Sequence, residues 1–321
     1  NTLLSRLDKN SNFNVPLIQY EQFSGEYIIL RGILSNTNFF NISPYYGLSN
    51  GFINNLSASS GGYIFKVLDS NDQLVSSINF EPQFNYYAEN GTVINTNRTF
   101  LIFAIPINTS AQKIQLKNGT ILINEVNRTP NTPTVKLTYP FQDITLSGLT
   151  NITWSASDAD NNTLYYAVIL NKINGTNSTL AFDLNQTYYT FNFSSISEGK
   201  DYSITVLTTD GFNTNSSTSG IFCVDNDLGI CGLKLLNKTS NKAIFEFTIT
   251  NNLNQNLSNV NWILGTGDNN IINSSIGINL TSKEDIFAII EYTYGSVGNY
   301  AVNATANTNN LTDNQMINIT I

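Results

Sequence analysis

Histidine is absent from these 321 residues, and there are only two cysteines, Cys223 and Cys231, one methionine and two tryptophans. Without histidine, Ser-His-Asp and Cys-His nucleophile systems and His-ligated zinc are excluded, and two cysteines fall short of the about four ligands of a structural zinc site. Charge is scarce as well: 12% of positions are Asp, Glu, Lys or Arg, where about 25% is usual. The 15 basic and 23 acidic side chains leave a net charge of −8 and a pI near 4.5. With no basic run to offset that balance, nucleic acid is not an expected partner. No apolar stretch reaches about 18 residues, so no membrane-spanning helix is expected. No basic-apolar-small leader opens the chain at Asn1, and the chain reads as a mature, soluble exterior segment or a piece of one.

What stands in place of charge is amide and hydroxyl: 51 Asn and 64 Ser plus Thr. Asn-x-Ser/Thr occurs 21 times, whereas random placement of the same residues gives about 10. The candidates for N-glycosylation are Asn41, Asn55, Asn90, Asn97, Asn108, Asn118 and Asn127, then Asn151, Asn161, Asn174, Asn177, Asn185, Asn192 and Asn215, then Asn237, Asn256, Asn273, Asn279, Asn303, Asn310 and Asn318. Spread evenly, glycans at these positions would supply the hydration that the sparse charges do not. An extracellular or cell-surface location follows as an expectation.

With 41% hydrophobic and 12% aromatic residues the chain can bury real cores. Its apolar pattern is strand-like throughout, in short runs of Ile, Val, Phe, Tyr and Thr punctuated by Asn, Gly, Ser and Asp. The spacing predicts strands over 27–34, 63–68, 100–105, 120–126, 134–139, 152–157, 164–170, 188–193, 202–207, 242–250, 260–264, 286–294, 300–306 and 316–321, and no long helix. Turn chemistry concentrates at N-R-T-P-N-T-P over 127–133 and at the Asp-rich segment 224–229. The expected fold is therefore all-β: an N-terminal arm over 1–20, then three tandem immunoglobulin-like β-sandwiches over 21–130, 131–226 and 227–321. With the arm counted in the first sandwich, the net charges are 0 over 1–130, −5 over 131–226 and −3 over 227–321. No end is basic, so electrostatics alone would not drive stacking.

The run F-C-V-D-N-D-L-G-I-C-G reads as a local disulfide between Cys223 and Cys231 in an oxidising exterior. Asp158 with Asp160, and Asp225 with Asp227, are carboxylate pairs two residues apart. Neighbours two apart in a turn do not flank a cleft as glycosidase carboxylates do. The same four are calcium candidates, as hard oxygen ligands in loops, although neither group has the spacing of a full calcium loop and Asx turns account for both. G-T-G-D at 265–268 leads into turn and strand, with no helix N-terminus to cradle phosphate. No catalytic residue and no resident cofactor are expected.

The first 20 residues are apolar at Leu3, Leu4, Leu7, Phe13, Val15, Leu17 and Ile18, ahead of the first clear strand. They read either as an extended arm that adds to an exposed sheet edge of another copy, or as a strand or short helix of their own sandwich. Head-to-tail contacts that do not close generate filaments, so an arm at one end and an open edge at the other predict a polymer of identical subunits.

Two segments carry family resemblances. P-T-V-K-L-T-Y-P at 133–140, I-T-W-S-A-S with Trp154, the turn D-A-D-N-N, L-Y-Y-A-V-I-L, and I-S-E-G-K-D-Y-S-I-T-V with Tyr202 resemble a fibronectin type III module, with T-D-G-F-N at 209–213 as its F–G hairpin. The resemblance implies Trp154 between two sheets and a buried Tyr202 whose hydroxyl meets the backbone. V-N-W-I-L-G-T-G-D-N at 260–269 and Y-T-Y-G-S-V-G-N-Y-A-V-N-A-T resemble a polycystic-kidney-disease-type module, with Asn269 where that family has a second glycine. The first 130 residues look like sandwich domains that accompany catalytic modules in large secreted proteins. Together the tandem, sequon-dense modules resemble archaeal cell-surface proteins. What this implies is an extracellular filament subunit, with copies of itself and other surface glycoproteins as partners. A surface-layer component, an accessory region of a secreted enzyme, or an adhesin presenting Tyr45 and Tyr46 are the alternatives.

Overall fold

The computed structural model describes residues 20–54, 61–88, 91–173, 175–274 and 276–321. Their regular structure is strand, apart from one 3₁₀ turn at Phe193–Ser195, and the protein is all-β. Alternation explains why. Tyr63–Leu68 buries Tyr63, Phe65 and Val67 while Ile64 and Lys66 stay half-exposed on the other face, the period of two that a pleated strand imposes.

Apart from a two-stranded ribbon of Asn85–Tyr87 and Val93–Asn95, the described strands form three pairs of facing sheets, each around its own hydrophobic cluster. In the first, Tyr20–Ser35 pairs with Phe40–Ile42 and Tyr46–Asn54 on one side and Arg98–Pro106 on the other. The facing sheet runs Ile121–Asn127, Lys113–Asn118, Tyr63–Leu68, Leu74–Phe80. Phe65, Phe80 and Phe103 meet between them with ring centroids 4.7 to 5.7 Å apart.

In the second pair, Thr134–Tyr139, Leu149–Ser157 and Tyr188–Asn192 face a sheet centred on Gly199–Thr209 and Tyr165–Lys172. Trp154 is buried between them and meets Tyr166 edge-on at 5.3 Å. Tyr202 is buried and donates its hydroxyl to the Ser197 carbonyl at 2.8 Å, which ties the strand to the turn before it. In the third, Leu228–Thr239, Lys242–Asn251 and Asp285–Thr293 cover a sheet built on Leu257–Gly265, Asn299–Asn307 and Thr312–Thr320. Trp262 is only half-buried, against the edge of Phe247 at 5.7 Å. In the turn that follows, Gly267 and Asn269 both take positive φ, +87° and +69°, a region that Asn tolerates better than other side-chain-bearing residues.

Most strands left out of the sequence pattern are short or polar, but Leu228–Thr239, 12 residues long with its first six buried, is neither. Thr214–Thr218 reads T-N-S-S-T, and Lys113–Asn118 alternates charge with Ile114 and Leu116. The segment 224–229 is not the solvent-facing joint its aspartates indicate: Val224, Asp225, Leu228 and Gly229 are all buried, because the next strand begins at Leu228 and pulls them under both neighbouring sheets.

Candidate functional site

With neither a histidine nor a clustered set of side chains to build on, the informative geometry lies where the sheet pairs meet and on their outer faces. Arg31 interrupts the apolar run Y-I-I-L-R-G-I-L, and its side chain is 3% exposed. It is ion-paired with Asp183 of the second sheet pair and lies between the rings of Tyr46 and Phe182, 5.6 and 4.9 Å from their centroids. One N–H also reaches the Pro44 carbonyl at 3.3 Å. A lone charge inside an apolar strand is the sequence signal for a buried pair, since Arg is rarely buried unpaired.

The hairpin between Gly199–Thr209 and Thr214–Thr218 reaches across the same joint. Its Phe212 is buried in the first hydrophobic cluster under the Arg128 guanidinium. Asn213 next to it is also buried: its amide donates to the Thr129 and Asn131 carbonyls, both at 3.1 Å, and its carbonyl oxygen accepts from Arg128 Nε at 2.6 Å. Asp210 accepts from the Thr129 hydroxyl and from the Phe212 and Asn213 backbone N–H groups. The proline-containing segment 127–133 is thus stapled to a turn some 80 positions away.

Cys223 and Cys231 are disulfide-bonded with Cα atoms 6.0 Å apart, joining the last strand of the second sheet pair to the first strand of the third. Beside them Asp225 is buried, and burial raises its carboxyl to about 7, helped by the charges of Asp313 and Asp227 and opposed by Lys200 and by the Asp227 backbone N–H. Lys200 is ion-paired with Asp313, which also accepts the Ile230 N–H at 2.6 Å. Lys234 bridges Asp143 and Glu246 at 2.8 and 3.1 Å.

The calcium candidates are engaged in turns. Asp158 accepts the Asp160 and Asn162 N–H groups, Asp160 accepts the backbone N–H and the side-chain amide of Asn131, Asp225 accepts the Asp227 N–H and Asp227 accepts the Leu228 N–H. Among the described residues no three His, Cys, Asp or Glu side chains are grouped to hold a metal. Tyr45 and Tyr46 are not a surface platform: each is 1% exposed, Tyr45 in the first core and Tyr46 against Arg31. Adjacent strand residues point to opposite faces, and here both faces are covered. The arm residues Leu3, Leu4, Leu7, Phe13, Val15, Leu17 and Ile18 lie outside the described residues, as do Asn55, Asn90 and Asn174.

The other 18 sequon asparagines are described. Sixteen are exposed, and Asn118 and Asn303 are half-buried. Asp285–Thr293 ends its sheet among the described residues, with Phe287 and Ile289 at 72% and 63% exposure on its outer face. At its start the Asp285 charge adds to the burial that raises Tyr139, which meets exposed Phe141 edge-on. No helix among the described residues is long and apolar enough to cross a membrane.

No protein-family model and no curated protein matches the chain. Among solved structures it is similar to red sea bream transglutaminase (7% identity, TM-score 0.25, 73% of this chain and 40% of that one). It is also similar to an alpha-2-macroglobulin from Escherichia coli (11%, 0.27, 95% and 24%). A DUF4785 family protein from Legionella pneumophila matches at 11% identity and TM-score 0.24, over 94% of this chain and 83% of that one. The chain thus spans less than half the length of the first two.

Proposed function

We propose that this chain is a non-enzymatic, N-glycosylated structural subunit of the cell exterior that polymerises head to tail into an extracellular filament. The observation that carries the reading is the outward placement of sequons: 16 of 18 described sequon asparagines are exposed, on all three sheet pairs. A surface with half the usual charge needs another source of hydration, and glycans supply it. The joints support a load-bearing role, since a buried ion pair, an amide cage and a disulfide resist bending between the sheet pairs. The growing contact is a β-edge: Asp285–Thr293 has a strand partner on one side only among the described residues and carries two exposed apolar side chains between Asp285 and Glu291, with neither lysine nor proline.

Electron microscopy of native material tests this directly. Uniform threads that repeat at the length of one subunit are expected, and removal of residues 1–20 abolishes them. Dispersed monomers, flat lattices, or a larger particle carrying this chain at its end would overturn the filament reading.

A further inference from the structure

Several of the large apolar side chains on the described surface stand beside sequons. Phe39, Leu149, Ile271 and Met316 are 67%, 77%, 69% and 62% exposed, and each stands two residues before a sequon asparagine: Asn41, Asn151, Asn273 and Asn318. Residues two apart along a strand share a face, so each apolar side chain is the immediate neighbour of a glycan attachment point. Others meet one across the ladder. Exposed Ile33 pairs with Asn41, Ile121 with Asn118, and Leu149 with Asn192 as well. By contrast, Phe141, Phe287 and Ile289 have no sequon asparagine two residues away, and the strand partners of Phe287 and Ile289 are Thr248 and Glu246.

The site around Asn41 is the most developed. A groove of about 420 Å³ is lined by Ile33, Ser35, Thr37, Phe39, Asn41 and Arg98. Phe40 points into the core, which turns Phe39 and Asn41 outward together. The Ser35 hydroxyl accepts the Phe39 backbone N–H at 3.1 Å, and the Ser35 N–H meets the Phe39 carbonyl at 2.7 Å, so the ring is held by a tight turn. A pyranose ring has one face of C–H bonds, weakly positive and apolar, that fits the negative face of an aromatic ring. Its hydroxyls find Ser35, Thr37 and Arg98 at the rim.

We propose that the N-linked glycan of Asn41 folds back into this groove and covers Phe39 and Ile33, and that the sugars at Asn151, Asn273 and Asn318 cover Leu149, Ile271 and Met316 in the same way. The inference rests on the glycoprotein reading above. Glycans on this chain then shield part of the apolar surface in place of the missing charge, while side chains such as Leu74, Phe287, Ile289 and Val297, with no sequon asparagine two residues away, stay bare.

The full chain, produced in a host that N-glycosylates, tests this as a double-mutant cycle of Asn41→Gln and Phe39→Ala, with occupancy at Asn41 read by peptide mass spectrometry. With Asn41 occupied, N41Q raises the fluorescence of a bound apolar dye about twofold, and F39A on top of it returns the signal to the starting level. Each single change lowers the urea midpoint, and the double variant falls no further than the lower single. Ser43→Ala, which removes the sequon and keeps Asn41, reproduces N41Q. Additive midpoints and an unchanged dye signal at an occupied Asn41 overturn the groove assignment and leave the glycoprotein reading intact. A bare Asn41 beside other occupied sequons does the same. Bare asparagines at every sequon overturn both.

Discussion

Arg31 and Asp183, 152 positions apart, form an ion pair that closes the first joint, with the guanidinium enclosed by Tyr46 and Phe182. The pair is asymmetric: Arg31 is 3% exposed and Asp183 32%. Arg31 Nε has no hydrogen-bond partner among the described residues, so this charge depends on Asp183, the Pro44 carbonyl and the two rings.

Asp183→Ala therefore strands a buried cation and is expected to cost about 3 kcal/mol, the low end for breaking a buried pair because Asp183 keeps some contact with water. Replacing both partners by leucine costs less than the sum of the single changes. Urea midpoints of the three variants check this, and additive losses would show that the pair has no coupling.

Asn213→Ala is expected to cost about 2 kcal/mol, since it leaves the Arg128 Nε–H and the Thr129 and Asn131 carbonyls without their partner. It also frees the segment that Asn213 holds. Trypsin should cut the native variant after Arg128 and spare the wild type, as mass spectrometry of the fragments will read.

Asp225 sets a pH dependence of unusual sign. Burial, helped by the charges of Asp313 and Asp227 and opposed by the Asp227 N–H and Lys200, raises its carboxyl from 3.8 to about 7. The folded state thus binds the proton more tightly than the unfolded chain between those values. The contribution of Asp225 to stability is greatest below about pH 4, declines as pH rises toward about 7 and is constant beyond.

Asp268 and Glu284 work the other way. Burial alone would raise Asp268, but bonds from Thr266, Tyr292 and Asn270 bring it below its ordinary value, and the Thr281 N–H and hydroxyl lower Glu284. Their support is lost in acid. Urea midpoints from about pH 3 to about pH 8 should peak on the acid side of neutrality, and Asp225→Asn should flatten the decline between about 4 and about 7. A wild-type profile that rises through that window would refute the assignment.

The disulfide closes a short loop, Cys223 and Cys231 being eight positions apart. Loop-closure entropy puts its contribution at about 2.5 kcal/mol. Intact mass should rise by about 2 Da on reduction, and the Cys223→Ala, Cys231→Ala double variant should unfold at lower urea. An alkylated thiol in the native protein would contradict the bond.

Period-two alternation was enough to determine the all-β class and to place Tyr63–Leu68 and Thr134–Tyr139 at their observed limits. The resemblance to a fibronectin type III module, not the alternation, implied a buried Trp154 and a Tyr202 hydroxyl on the backbone, and both are found. The candidate glycan sites were legible as a motif, and most are exposed because polar residues alternate outward. What needed the tertiary structure were the relations across sheets. Tyr45 and Tyr46 look alike in sequence, and only the second sheet pair, packed over the first, buries the outer one. Asp225 and Asp227 share one acidic turn, yet the strand that starts at Leu228 buries the first and leaves the second half-exposed. Local alternation determines which way a side chain points, whereas only the packing of distant sheets decides what it meets there.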